Sequence, residues 1–137
     1  MSATSSLRWR VDAEPSMAAL AVGDLIAVLV FVVVGEITHD IDPIAQPARV
    51  LGTLLPFLIG LAVVAALGGL YTRDAIRSPK RAASLIAPAW IGAVLIAQVL
   101  RATALFPGDA AVTFALVAMA IGGLLLVLWR VVAALVL

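Results

Sequence analysis

The 137-residue chain has no cysteine, one histidine and one tyrosine, and only 12% of it is charged. Without cysteine there is no disulfide framework, no thiolate metal site and no cysteine nucleophile. A lone histidine, His39, with few hydroxyls in the apolar runs, leaves no nucleophile–base set. No phosphate-binding loop, dinucleotide fingerprint or zinc pattern occurs either. An enzyme, a metal site or a bound cofactor is therefore not expected. Net charge is +1, and no basic face interleaved with aromatics appears, so no nucleic-acid partner is expected. The shortage of charge is the largest deviation, because soluble domains carry about a quarter charged residues. Here 64% of the chain is apolar and its mean hydropathy is +1.19. A water-soluble fold of this size could not hide so much apolar surface. The solvent must be lipid, and the bilayer is the first partner.

What is present is four long apolar runs. A membrane-crossing helix needs about 20 apolar residues, and backbone groups in lipid must pair within their own segment, which favours helices over strands. The runs predict an N-terminal tail over 1–16 and a single transmembrane domain over 17–137, with helices at about 17–38, 50–71, 82–105 and 110–133. The first run is too long for a cleaved signal and lacks a small-residue cleavage site. Pro15 and Ser16 mark its start. The connections His39–Arg49, Thr72–Arg81 and Phe106–Asp109 are short, with Asp109 as the expected N-cap of the fourth helix. Short connections force neighbours to run antiparallel, so the expected fold is all-α, an integral membrane four-helix up-down bundle. Arg8, Arg10, Arg73, Arg77, Lys80, Arg81 and Arg130 fall on one side, Arg49 and Arg101 on the other. That bias places both termini in the cytoplasm and the protein in the cell (plasma) membrane. Trp9, Tyr71, Phe106 and Trp129 fall near the expected interfaces.

Few side chains inside these runs can carry chemistry. Asp24 stands well within the first run, where an acid is costly in lipid and marks a functional position by default. It should face the bundle interior, paired or protonated, and its candidate partners are the Trp90 indole and Arg130. At 100° per residue Phe31, Gly35 and Thr38 share its face, with His39 close by. Gly35 suggests a close helix approach. Glu36 and Arg101 fall at similar depth at the opposite end, which suggests an ion pair. The stretch "EITHDID" has Glu-x-x-His spacing, but one such motif and one histidine make a weak metal signal. Thr53, Phe57 and Gly60 share a face of the second helix. Pro56 and Pro88 should kink the second and third helices or free a carbonyl. Gln98 is expected to donate between helices, and Ala118, Gly122 and Gly123 to pack closely.

Several of these residues make a pattern. "GDLIAVLVFVVVGEITH" on the first helix, "PFLIG" on the second, and Trp90 to Arg101 on the third resemble an uncharacterised prokaryotic four-span family, domain-of-unknown-function family 3054. The resemblance covers Gly23 to Arg101 and extends to the fourth helix. It implies that Gly23, Asp24, Phe31, Gly35, His39, Pro56, Phe57, Gly60, Trp90 and Arg101 are family-pattern positions. A tryptophan follows "PF.xG" in that pattern where this chain has Leu61. The family brings no activity with it.

Two functional expectations follow. The first is a small transport protein or transporter subunit for protons, cations or a small solute, with Asp24 as the membrane-embedded carboxylate it works through. Its candidate polar face is Asp24, Glu36, His39, Trp90, Gln98 and Arg101. The second is a non-catalytic assembly subunit, a homo-oligomer or the partner of another membrane protein, packing through Ala62, Ala66, Ala93 and Ala97. A lipid-directed enzyme using Asp24, His39 and Arg101 is nearly excluded, since Asp24 and His39 lie about 22 Å apart along one straight helix.

Overall fold

Three of the four long helices begin on a proline. In the computed structural model, which describes residues 11–106 and 110–137, α1 is Pro15–Thr38, α2 is Pro47–Gly68 and α3 is Pro79–Arg101. Proline at the first helical position has no N–H to leave unsatisfied and a φ already set for the helix. Each start therefore lies two or three residues ahead of the expected one. The fourth helix, α4, runs from Val112 to Val136; the expected Asp109 cap lies outside the described residues. The four are 22 to 25 residues long and apolar enough to cross a membrane. At 1.5 Å per residue they span about 33–38 Å, against a hydrocarbon core of about 30 Å. Among the described residues no strand forms, and the chain is an all-α, multi-pass membrane bundle.

The helix ends turn sharply. After α1 the Asp40 N–H reaches the Ile37 carbonyl and the Ile41 N–H reaches the Glu36 carbonyl, with Asp40 at φ 62°. This is a Schellman turn in which aspartate occupies the left-handed position usually given to glycine. It ends α1 and folds Ile41 back beside Glu36. After α2, Gly69 adopts φ 67°, which needs no Cβ relief. That turn ends the helix before residue 71, and the buried Leu70 and the partly buried Tyr71 swing back against the bundle. A short 3₁₀ turn, Arg73–Ile76, then leads to Ser78, whose hydroxyl accepts from the Arg81 N–H and caps α3.

Each helix packs on its sequence neighbours, and α4 closes the ring against α1. At the α2–α3 crossing a Cβ on Gly60 would overlap the Ala93 carbonyl, so only glycine allows this approach. Phe57 lies at the centre, 5.8 Å from the rings of Phe31, Trp90 and Phe114. These four rings make an aromatic layer across mid-bundle. Beside it α4 widens into a π-helical segment, Ala118–Gly122. The Trp90 indole donates to the Ala118 carbonyl at 2.8 Å, and a Cβ on Gly122 would come 2.8 Å from the Trp90 ring. The widened turn thus makes room for the tryptophan and hands it an acceptor.

α2 and α3 continue as helices past Pro56 and Pro88, which bring no N–H to the carbonyl four residues back; Pro56 is buried inside the bundle and Pro88 faces outward. The structure corrects two expectations. A methyl group placed on Gly35 would meet nothing within 4 Å, so this glycine opens space rather than closing a contact. Ala93 and Ala97 are fully buried within the bundle, which removes them from any outer surface. The outward side chains, such as Leu25, Ile26, Val63, Leu95 and Leu128, are the ones left for lipid.

Candidate functional site

The bundle holds two polar clusters, one on each side of the aromatic layer. The first surrounds Asp24, at the end where the described termini meet. Arg130 of α4 approaches side-on: Nε donates to Oδ1 at 3.0 Å and a terminal nitrogen to Oδ2 at 2.6 Å. The other terminal nitrogen donates to the Leu70 carbonyl at 2.7 Å. The Tyr71 hydroxyl donates to Asp24 Oδ2 at 2.6 Å, and its ring lies 5.2 Å from the guanidinium carbon. Both side chains of the ion pair are 1% exposed. Such charge-assisted, two-pronged pairing is the strong form of the interaction, and it leaves the carboxylate no face open to a solute. Burial and the neighbouring Asp24 carboxylate push the Tyr71 hydroxyl above its usual range.

This cluster is anchored to the chain ends. Arg73 pairs with Glu14 at 2.8 Å and donates to the Leu137 carbonyl at 2.9 Å. Its N–H donates to Asp12, whose own N–H donates to the Tyr71 carbonyl. Nearby, Trp129 donates to the Leu20 carbonyl at 3.2 Å, and its ring covers Gly23. Tyr71 and Trp129 therefore bond inward as well as standing near an interface.

The second cluster is at the opposite end and is open. A cavity of about 150 Å³ is lined by Glu36 from α1 and His39 just past its end, Arg49 and Thr53 from α2, and Arg101 from α3. Phe31, Val32, Gly35, Ile41 and Phe114 complete its apolar wall. Thr53 donates to Glu36 Oε1 at 2.7 Å, the shorter of two acceptors in reach. Arg49 stands 3.7 Å from Oε2 with its side chain half exposed. The Arg101 guanidinium lies over the Phe114 ring, 4.6 Å from its centroid. The cation drawn to Glu36 is thus Arg49, one helix nearer in sequence than the expected Arg101, while Arg101 borders the same cavity. No group of three or more histidine, aspartate or glutamate side chains able to hold a metal occurs among the described residues.

The expected polar face therefore divides. Glu36, His39 and Arg101 come together at the cavity; Asp24 is sealed on the far side of the aromatic layer. Trp90 lies in that layer. Gln98 ties α3 to the entry of α4 by donating to the Ala111 carbonyl at 3.1 Å. Of Asp24's two candidate partners, Arg130 is the one that binds it and Trp90 is engaged elsewhere.

The aromatic layer, the sealed acid and the cavity all fall within one stretch of chain that a family profile recognises. The profile, described as a protein of unknown function (DUF3054), matches residues 21–133. The chain belongs to the DUF3054 family. No functionally curated protein and no solved structure matches it. Asp24, Tyr71 and Arg130, as well as Glu36, Arg49 and Arg101, all lie inside the DUF3054 match.

Tyr71, Arg49, Thr53 and Phe114 are site residues that sequence reasoning did not place in the candidate polar face. For Tyr71 a signal existed: Gly68-Gly69 precedes it, and a glycine able to end α2 there would turn the next residues inward. For the others, the direction each helix faces decides, and hydropathy does not carry that information.

Proposed function

We propose that this DUF3054 protein is a small non-enzymatic transport protein, or the solute-binding subunit of a transporter, and that its working carboxylate is Glu36. The observation that carries this reading is the contrast between the two acids of α1. Glu36 opens on a polar cavity bordered by long cationic side chains, and Asp24 is held by three donors and fully buried. Intramembrane ionisable groups beside a cavity are where pathways for ions and solutes are built. Among described residues with exposed side chains, Arg73, Arg77, Lys80 and Arg81 lie at the closed end and Arg49 at the cavity end. By the positive-inside bias the closed end faces the cytoplasm of the cell, so the cavity faces outward across the plasma membrane.

The assembly reading is less well supported. Two of the four alanines it relied on are spent inside the bundle. The test is solute binding and flux with purified protein in liposomes, comparing wild type with Glu36→Gln. A solute whose binding or flux responds to Glu36→Gln is the expected result. Identical behaviour of the two proteins toward every solute charge class tried would overturn the reading.

A further inference from the structure

We propose that the seam between α1 and α4 holds one straight acyl chain of a phospholipid, drawn from the leaflet at the closed end. The site is independent of the Glu36 cavity and of the transport reading. An open groove of about 420 Å³ lies along this seam. Ala19, Gly23 and Ala27 fall four residues apart on one face of α1 and make its floor. Val22, Ile26 and Val30, exposed in the neighbouring row, make one rim. Leu125 and Trp129 of α4 make the other. The small floor residues set a trough between two rows of large ones.

The groove has the length, depth and chemistry of one lipid tail. Ala19 to Val30 spans about 16 Å along α1, and one leaflet is about 15 Å deep, half of a hydrocarbon core of about 30 Å. The groove starts one turn inside α1 at the closed end and stops at Val30, beside Phe31 of the aromatic layer, so it ends at mid-bundle. Its one polar side-chain group, the Trp129 N–H, donates to the Leu20 carbonyl at 3.2 Å. Water entering the groove would find no hydrogen-bond partner, and neither would a polar solute. The rim side chains belong to the lipid-facing surface, so the groove opens into the bilayer.

A second copy of the chain fits this place less well. Small residues four apart commonly draw a neighbouring helix onto their backbone. Here a Cβ on Gly23 would overlap the Trp129 ring. The ring already takes that approach, and a helix about 10 Å wide is held off, whereas a single acyl chain is narrow enough to lie in the trough. The walls are also preset. Asp24 and Arg130, next in sequence to Gly23 and Trp129, are joined by buried bonds of 2.6 and 3.0 Å that fix α1 against α4. A chain therefore enters without ordering any protein group. Moving from bulk lipid into the groove releases no hydrophobic free energy, so shape decides. A straight chain touches the whole trough, and a methyl-branched one loses contacts along it.

The test uses the purified full-length protein in palmitoyl-oleoyl phosphatidylcholine vesicles that contain a trace of phosphatidylcholine with a photoactivatable diazirine on its palmitoyl chain. After irradiation the labelled peptides are mapped by mass spectrometry. Label should concentrate on residues 19–30 and on Leu125 and Trp129, relative to the equally outward Val63 of α2 and Leu95 of α3. Ala19→Phe, which puts a ring on the exposed end of the floor, should abolish that enrichment. Ala62→Phe, at an exposed position of α2, should leave it unchanged. Excess unlabelled dipalmitoyl phosphatidylcholine should displace the label, and methyl-branched diphytanoyl phosphatidylcholine should displace less. Size-exclusion profiles of the variants control for folding. Even labelling of every lipid-facing helix in the wild type would overturn the proposal however the variants behave. Enrichment that survives Ala19→Phe, or that Ala62→Phe also removes, would overturn the placement in this groove. Equal displacement by the two competitors would overturn the straight-chain assignment. The chain has no cysteine, so Val22→Cys alone reports on a second copy. A disulfide-linked dimer forming through it in the vesicles, with label absent from the groove, would give the seam to a neighbouring copy and overturn the lipid.

Discussion

Asp24 and Glu36 stand twelve positions apart on one helix, about 18 Å along its axis, and they have opposite surroundings. Asp24 accepts from two nitrogens of Arg130 and from Tyr71, and it is fully buried. Glu36 accepts from one threonine, faces a guanidinium at 3.7 Å, and borders empty volume. Both are acids in apolar surroundings, so residue type does not set their roles. What differs is the supply of donors. Where neighbouring elements deliver enough donors to fill the carboxylate's lone pairs, the acid becomes a strut. Where they deliver too few, space and loose partners remain, and the acid is open to something from outside. The aromatic layer of Phe31, Phe57, Phe114 and Trp90 keeps the two regimes apart.

The comparison is broken most directly at the closed end. Asp24→Asn leaves Arg130 as an uncompensated buried cation, and removing one partner of such a pair costs about 3–5 kcal/mol. Thermal unfolding in detergent should show a larger loss than a change to Tyr71, Glu36 or Asp74 produces. Replacing both partners, Asp24→Asn with Arg130→Gln, should recover at least half of it, because no lone charge is then buried. If the single variant unfolds like wild type, Asp24 is not a strut.

Much of this architecture was legible in the sequence, and the gaps have physical causes. Four spans, their order and the common end of tail, basic loop and C-terminus follow from hydropathy and short connections alone. The bounds shifted because Pro15, Pro47 and Pro79 start helices ahead of the apolar runs, and Gly69 ends α2 in a left-handed turn before residue 71. Depth correctly paired Asp24 with Arg130. It could not exclude Trp90, because the π-helical turn that gives Trp90 its acceptor depends on packing against Gly122. Glu36, Arg49 and Arg101 were all legible at one end, but choosing between two arginines needs the angle each helix presents. Gly35 reads as a contact from its residue type and serves as an opening, a distinction set entirely by the neighbouring helix.

A smaller effect belongs to Tyr71. Tyr71→Phe removes a hydrogen bond to a charged group, worth about 1.5–3 kcal/mol, and should lower stability by that order without emptying the Arg130–Asp24 pair. The chain has a single tyrosine, so its phenolate absorbance is unambiguous. The hydroxyl's ordinary titration lies near pH 10, and burial beside Asp24 raises it in the folded protein. Its contribution is therefore complete below about pH 10 and is lost as pH rises further, when the unfolded chain ionises first. Phenolate should appear only together with unfolding, and Tyr71→Phe should flatten the alkaline fall in stability. Phenolate formed at about pH 10 in the intact fold would place Tyr71 in water and unseal the Asp24 cluster.

Glu36→Gln sharpens the contrast from the other side. The amide can still accept from Thr53, and Arg49, half exposed beside the buried Glu36, can turn to water when the 3.7 Å contact is lost. The loss of stability should stay well below that of Asp24→Asn, because no cation is left buried without a partner. A loss as large as that of Asp24→Asn would mean that both acids hold the bundle together and that the open end is not free to work.

The smallest effect should come from an acid that neither end needs. Asp74 accepts from Arg81 at 2.7 Å and pairs with Arg77 at 3.2 Å in the basic connection between α2 and α3. Its hydrogen bond to Arg81 holds the carboxyl below its usual range, so its contribution is present at neutral pH and is lost only as pH falls through the acid range. All three side chains are in water, where ion pairs of this kind contribute little and are screened by salt. Asp74→Asn should leave the unfolding temperature unchanged within error at neutral pH, while Asp24→Asn, with bonds of similar length, collapses it. Equal losses from the two substitutions would show that hydrogen-bond length, and not burial of the charges, governs what an acid is worth in this protein.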